Sequence, residues 1–454
     1  MYRFFPQNIQ SVYLFIFILF LMSIITAYPG GVTIDTYTIF KQSLSGQYTL
    51  PFSPIIPFVW HYLNIVCTGP FIMLLLIQLM LWGAVLLFVY SWYRKHGYSR
   101  ELWIFVFVPF LPSIVKASGY IWKDVLFAFS YLLAAAIISH FMMQRKWPNI
   151  LVKIAVFILL FFGTACKFQA AYIFPIFIFW YLLSCFNQSK ITSLLVTIFL
   201  SFTVNIGITK LNNYLANDYT QHSRTGWQEI KFFDLVYISL KKDKILLPKY
   251  VQEDKRLNFD QFKEKFVSST IFGVMFSKKS PITFTEDPQQ QQEIIQAWNY
   301  AVTTYPFTYL QGRLYRISRL LTRFVDRMPS MLYYHNFVYD EMDGYYKKSL
   351  TNNFLSKFEN LYIQIFFWAS MFALCLPFSI YYLYAGLKSY FKFGSDFGLI
   401  TAFMNAAAIW MVIVMTFIAV NIDFRYVFIC HGMFHFSHPF AWRAIQQIKS
   451  TGKD

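Results

Sequence analysis

The sequence predicts an all-α polytopic membrane protein. Of its 454 residues, 57% are hydrophobic, 21% are aromatic and only 13% are charged. Soluble domains are about 45–50% apolar and about 25% charged, so this composition excludes an ordinary soluble class. Apolar runs of about eighteen residues or more recur, and each is long enough to cross a hydrocarbon core of roughly 30 Å. We expect about ten transmembrane helices on this basis.

The basic residues indicate topology rather than a nucleic-acid partner. The net charge is +17, but Lys and Arg concentrate in short hydrophilic breaks such as Arg94–Lys95, Arg145–Lys146 and Lys388–Lys392. An excess of Lys and Arg in short loops marks the cytoplasmic side of a membrane protein. A nucleic-acid-binding protein would need a basic soluble face, which the sequence lacks. We therefore expect both termini in the cytoplasm.

The apolar runs place the spans along the chain. The predicted spans are, roughly, residues 11–27, 70–91, 101–115, 125–142, 151–164, 170–185, 191–208, 361–387, 397–420 and 426–442. The first is expected to be a retained helix, because no small-residue cleavage site follows it. The chain then divides into an N-terminal transmembrane module (1–209), one large extracytoplasmic region (210–360) and C-terminal transmembrane helices (361–454).

The five cysteines lie in or beside apolar segments and show no metal-ligand spacing. We interpret them as small buried hydrophobes that form no disulfide framework.

Several ionisable or polar residues are predicted at the outer membrane edge, although charge is costly near the hydrocarbon core. They are Asp35, Lys123, Asp124, Lys167, Asp423, Arg425 and Tyr426. A carboxylate beside several cations suits chemistry on a lipid-linked phosphate. The cations neutralise the leaving group, and the carboxylate takes a proton from an incoming hydroxyl. Arg suits bidentate phosphate contact, whereas Lys acts as a point charge.

The order of these features resembles the GT-C superfamily of integral membrane glycosyltransferases, which use polyprenyl-phosphate-linked sugars. The matching elements are an Asp beside an interfacial helix in the first outer loop, Trp122-Lys123-Asp124 in the next outer loop, and a late Asp-x-Arg-Tyr. In the outer region, residues 305–310 followed by Arg313 resemble a recurrent element of the superfamily. The likeness is strongest to bacterial members that act on surface polysaccharide or lipopolysaccharide.

The resemblance implies a role for each of these residues. Asp35 is expected to be the catalytic base. The substrate-binding residues are expected to be Lys123, Asp124, Lys167, Arg425, Tyr426 and Arg313, of which Lys123, Lys167 and Arg425 would bind the donor phosphate. The implied partners are a polyprenyl-phosphate-linked sugar, a glycan or lipid acceptor and the bilayer of the bacterial inner membrane.

The first loop departs from the superfamily in one respect. Many members place a second acidic residue beside the first-loop Asp, but Ile34 and Thr36 flank Asp35 here. We therefore expect no cofactor and no metal, although Asp124 could complete a divalent site with Asp35. The histidines at 431, 435 and 438 lie near the inner side, and we expect no metal site there.

Each residue also has a structural interpretation. Asp35 could cap the interfacial helix, Lys123–Asp124 could be a snorkelling pair that ends a span, and Lys167 could be an anchor. Asp423–Arg425 could be a local ion pair. Arginines 313, 316, 319 and 323 repeat at helical spacing, so that face could contact lipid headgroups as well as an acceptor.

Two other functions stay open. An O-antigen polymerase or ligase also has many spans, a long outer loop and critical arginines. A transporter or flippase of lipid-linked sugars would place its charged groups along a mid-membrane pathway, whereas this sequence concentrates them at one edge.

Overall fold

The computed structural model describes residues 8–186, 189–217, 226–266, 280–322, 361–362, 365, 371–419 and 423–450. These residues are helical apart from their connections and include no β-strand. The helices are α1 Ile9–Ala27, α2 Ile34–Ser45, α3 Ile55–Leu63, α4 Pro70–His96, α5 Leu102–Phe107, α6 Pro112–Ser118, α7 Lys123–Gln144, α8 Ile150–Cys166, α9 Ala170–Cys185, α10 Lys190–Leu215, α11 Trp227–Lys242, α12 Lys249–Gln252, α13 Phe259–Lys265, α14 Pro288–Thr304, α15 Pro306–Thr322, α16 Phe372–Phe393, α17 Asp396–Ile418 and α18 Phe428–Ser450. Short 3₁₀ turns lie at Leu50–Phe52, Val108–Phe110 and Phe424–Val427.

Helix length and composition support a helical membrane protein. Among the described residues, five helices (α1, α4, α7, α10 and α17) are long and apolar enough to cross a membrane. Helices α8 and α9 are apolar but shorter. The prediction of about ten spans stays a prediction, and part of the predicted span 361–387 lies outside the described residues.

The predicted third span, 101–115, is not one continuous helix. The structure divides it into α5, the 3₁₀ turn at Val108–Phe110 and α6. Leu111 separates the last two with an extended backbone, φ −59° and ψ 140°. Pro112 is the physical reason, because a proline ring clashes with helical geometry at the residue before it. The hydrophobicity of this run alone does not indicate the break in the helix before Pro112.

The membrane-type helices pack around α7, most of whose residues are buried. Helices α4, α8, α9 and α18 contact it, and α16, α17 and α18 pack on one another. Where α16 crosses α17, Gly386 and Gly398 face each other so closely that a Cβ on either would meet the partner backbone at 2.7 Å. Small residues of this kind let membrane helices approach backbone to backbone.

The predicted outer region (210–360) has a hydrophobic cluster of its own, built mainly by α11 and α14, with Tyr309 of α15 packed against it. Phe232, Leu235, Ile294 and Ala301 are fully buried in it. Helix α15 also contacts α17 and the 3₁₀ turn at Phe424–Val427. The outer region is thereby packed against the turn that carries Arg425 and Tyr426.

Candidate functional site

The first and second predicted outer loops are joined through their backbones. Gly31 and Tyr120 form an isolated parallel bridge, in which the Gly31 amide donates to the Gly119 carbonyl at 2.6 Å and the Ile121 amide donates to the Gly31 carbonyl at 2.9 Å. A Cβ at position 31 would lie 2.6 Å from the Tyr120 ring. Only glycine therefore allows this approach without a shift of the ring.

Side chains extend the same junction to the starts of α2 and α7. The Thr36 hydroxyl donates to the Ile121 carbonyl at 2.8 Å, and the Trp122 indole donates to the Thr33 hydroxyl at 3.3 Å. Thr33 directly precedes α2 and Trp122 directly precedes α7. The first turns of the two helices, with Asp35 in one and Lys123–Asp124 in the other, are consequently neighbours.

Arg425 brings a third segment to this junction. Its guanidinium contacts the Asp35 carboxylate at 3.5 Å and the Asp423 carboxylate at 2.7 Å, and it lies 5.2 Å from the centre of the Trp122 ring. Burial alone would raise the pKa of Asp423, but the charge and hydrogen bonds of Arg425 outweigh it and hold that pKa below its usual range. The Asp35 side chain keeps 40% of its surface exposed.

A buried ion pair lies beside Arg425. The Lys167 ammonium and the Asp124 carboxylate are 2.5 Å apart, with side chains only 5% and 4% exposed. The same ammonium lies 4.9 Å from the centre of the Tyr426 ring. The other Asp124 oxygen, Oδ2, is buried and has no hydrogen-bond partner among the described residues.

Lys123 completes what we call the loop cluster, defined as Asp35, Lys123, Asp124, Lys167, Asp423, Arg425 and Tyr426. Its ammonium lies within electrostatic range of both Asp35 and Asp124, and of the cations Lys167 and Arg425. The three carboxylates and three basic side chains of the cluster balance in charge.

Comparison of the chain with models of protein families, with curated proteins and with solved structures gave no match.

Arg313, the remaining predicted substrate-binding residue, lies in a second polar cluster between α11 and α15. Its guanidinium contacts Asp234 at 2.5 Å and is 1% exposed. The Trp298 indole donates to the same carboxylate at 2.9 Å, and Arg316 stacks over the Phe233 ring at 3.2 Å. Buried nitrogens of both arginines have no hydrogen-bond partner among the described residues.

Two contacts place this second cluster beside the loop cluster. The Arg316 guanidinium donates to the carbonyl of Ala419, just after α17. Glu229 interacts electrostatically with Arg316 and with Tyr426. Burial raises the pKa of Glu229 to about 7, although Arg316 opposes the rise. The outer region therefore supplies charged groups to the border of the loop cluster.

Sequence reasoning missed Asp234 and Glu229. Both lie on α11 in an aromatic-rich stretch that carries no motif. The available signal was helical spacing, because Arg313 and Arg316 share a face of α15 with the strongly apolar positions of an amphipathic helix. Buried arginines require acidic or carbonyl partners, and this requirement points to an acidic residue on a neighbouring helix without identifying which one.

Proposed function

We propose that the chain is an inverting membrane glycosyltransferase of the GT-C type. It moves a sugar from a polyprenyl-phosphate-linked donor to a glycan or lipid acceptor at the extracytoplasmic face of the bacterial inner membrane. The observation that supports this proposal best is the convergence of Asp35, Lys123, Asp124, Lys167 and Arg425 from segments far apart in the sequence. Because ionisable groups are costly at membrane depth, those that occur there usually pair with one another or belong to a functional site.

In the proposed reaction, an acceptor hydroxyl attacks the anomeric carbon of the donor sugar. The bond between that carbon and the phosphate oxygen breaks, and the phosphate leaves on its polyprenyl carrier with the electron pair. Asp35 takes the proton of the attacking hydroxyl as general base. Asp35 suits this role because its carboxylate is the more exposed one, at 40%, while Asp124 is buried against Lys167 at 4%.

The cations have a complementary role in the proposal. Lys123, Lys167 and Arg425 neutralise the charge that develops on the leaving phosphate. The contact from Arg425 to Asp35 is 3.5 Å, longer than its 2.7 Å contact to Asp423. Arg425 can therefore turn Nη1, the nitrogen that contacts Asp35, toward a phosphate while Nη2 stays anchored on Asp423. The Trp122 ring, 5.2 Å away, supports the same guanidinium from one side.

Two substitutions test the two roles separately. In purified full-length protein supplied with a panel of labelled polyprenyl-phosphate sugars, Asp35→Asn should lower turnover by about 10²–10⁴-fold, the usual contribution of a general base. It should leave donor binding nearly unchanged. Lys123→Ala should instead weaken donor binding far more than it lowers protein abundance.

Lys41→Ala is the matched control, because Lys41 is an exposed lysine of α2, the helix that carries Asp35. Its activity should equal that of the wild type. Wild-type transfer by the Asp35→Asn variant would contradict the base assignment and favour a polymerase or ligase. Movement of an intact lipid-linked sugar across the membrane of vesicles that contain the protein, without cleavage of the glycosyl bond, would favour a transporter.

A further inference from the structure

A group of metal-ligating side chains lies away from the loop cluster, between α16 and α18. Cys375 comes from α16, and His431 and His435 come from α18. One ligand atom from each lies within 4.8 Å of the other two. All three side chains belong to the buried interior, with 7%, 0% and 9% exposure respectively. We propose that Cys375, His431 and His435 bind a zinc ion.

The helical spacing favours a shared ligand. Residues four apart in a helix lie on the same face one above the other, so His431 and His435 both face α16. Their rings stack with centres 5.9 Å apart and an interplanar angle of 20°. Cys375 meets them from the opposite helix, so an ion held by the three would connect α16 to α18.

The distances are close to those of a metal site. The Cys375 sulfur lies 3.9 Å from Nε2 of His435. Zinc binds sulfur at about 2.3 Å and histidine nitrogen at about 2.0–2.1 Å, so tetrahedral geometry separates two such ligands by roughly 3.5 Å. All the ligand atoms lie within 4.8 Å of one another, so shifts of about 1 Å would bring them to this geometry.

A hydrogen-bonded chain orients His435 toward the sulfur. Its Nδ1 lies 3.2 Å from Nε2 of His438, and Nδ1 of His438 lies 3.2 Å from the Tyr382 hydroxyl. With Nδ1 engaged in this way, Nε2 is the nitrogen that faces Cys375. Metal-ligating histidines commonly have their second nitrogen held by a hydrogen-bond partner, which fixes ring orientation.

The donor set argues for the class of ion. One thiolate with two imidazoles suits a softer ion such as zinc or copper, whereas harder ions such as Mg²⁺ and Ca²⁺ prefer oxygen ligands. Three protein ligands leave a fourth position for another donor.

Helix α18 begins directly after the turn that carries Arg425 and Tyr426, so the ion would also fix the helix that supports this part of the loop cluster. This proposal differs from the sequence-based expectation of no metal at these histidines, which did not include Cys375 in the group.

Metal content tests the proposal directly. Purified full-length protein in detergent is loaded with Zn²⁺, dialysed and analysed by inductively coupled plasma mass spectrometry. We expect one zinc per chain in the wild type and a loss of it in Cys375→Ala and His435→Ala. Cys185→Ala and His61→Ala are the controls and should keep the zinc, because these residues lie on α9 and α3. His438→Ala should weaken zinc affinity by about 10–100-fold.

Substitution with Co²⁺ gives a second measurement, whose first readout is made on the wild-type protein. The wild type should show a thiolate-to-cobalt charge-transfer absorption, and Cys375→Ser should lose it while its elution from size-exclusion chromatography is unchanged. Wild-type protein that retains no zinc after loading, or shows no charge-transfer band, overturns the proposal. So does zinc that persists in both Cys375→Ala and His435→Ala.

Discussion

At the scale of single residues, the loop cluster is notable for how deeply some of its charges are buried. The Lys167–Asp124 pair is nearly inaccessible, whereas Asp35 and Arg425 are partly exposed. Buried ion pairs contribute little net stability, because desolvation offsets their attraction, but the loss of one partner leaves an uncompensated charge. We therefore expect the loss of either partner of the buried pair to disturb folding of the site, in addition to the substrate role proposed for Lys167.

Removal of one partner of the buried pair should destabilise the protein strongly. Lys167→Met leaves the Asp124 carboxylate buried without its cation, and the expected loss is about 3–5 kcal/mol. The double variant Lys167→Met/Asp124→Leu removes both charges and should lose distinctly less. Thermal unfolding of the purified protein in detergent measures both.

The comparison of single and double variants separates a structural pair from a substrate-binding one. If the double variant recovers stability but not glycosyl transfer, Lys167 and Asp124 act on substrate as well as on folding. Equal destabilisation of the single and double variants would show that the attraction between the two charges is not what stabilises this region.

At the scale of elements, helix identity was predictable but some helix boundaries were not. Apolar length alone located α1, α4, α7 and α17, because spans of that length have few alternatives in a membrane. The break at Leu111 depends on one local effect of Pro112. The α18 helix continues to Ser450, past the predicted end at 442, because helical structure continues beyond the apolar segment that defined the prediction.

The crossing of α16 and α17 should tolerate no side chain at its closest point. In Gly398→Ala, the new Cβ would meet the Gly386 carbonyl at 2.7 Å and the Tyr390 amide at 2.8 Å. Both are backbone atoms that cannot rotate away, so the helices must separate. We expect a loss of about 1–3 kcal/mol, typical of overpacking, measured by thermal unfolding in detergent.

Gly207→Ala is the matched control for this prediction. Gly207 lies within α10, and a Cβ there meets nothing within 4 Å. Because alanine is a better helix former than glycine, this variant should be at least as stable as the wild type. A Gly398→Ala variant as stable as Gly207→Ala would show that α16 and α17 do not cross closely at this point.

At the scale of the whole molecule, the sequence predicted the membrane class and the grouping of the loop-cluster residues, but Arg313 lies in the second cluster instead. Asp35, Lys123 and Arg425 were grouped because they fall at the same predicted membrane edge, and the structure places them together. The backbone bridge from Gly31 to Tyr120 could not be inferred, because its two partners carry no periodic pattern. Asp234 was missed for the same reason, since it acquires its partners only through long-range packing.

The predicted topology is testable with native Cys67. It lies between α3 and α4 and is partly exposed, whereas the other four cysteines are buried, so background labelling should be low. Positive-inside topology places this connection outside, on the side of Asp35. A membrane-impermeant maleimide should therefore label Cys67 in intact spheroplasts.

The predicted cytoplasmic side is tested with an introduced cysteine in a variant that lacks Cys67. Lys146 is exposed between α7 and α8, in a connection predicted to be cytoplasmic. In the Cys67→Ser/Lys146→Cys variant, labelling should require permeabilised membranes. The reverse pattern would place the loop cluster on the cytoplasmic side. A polyprenyl-phosphate donor presented at the outer face could not reach Asp35 there, so this outcome would contradict the proposed reaction without contradicting the fold.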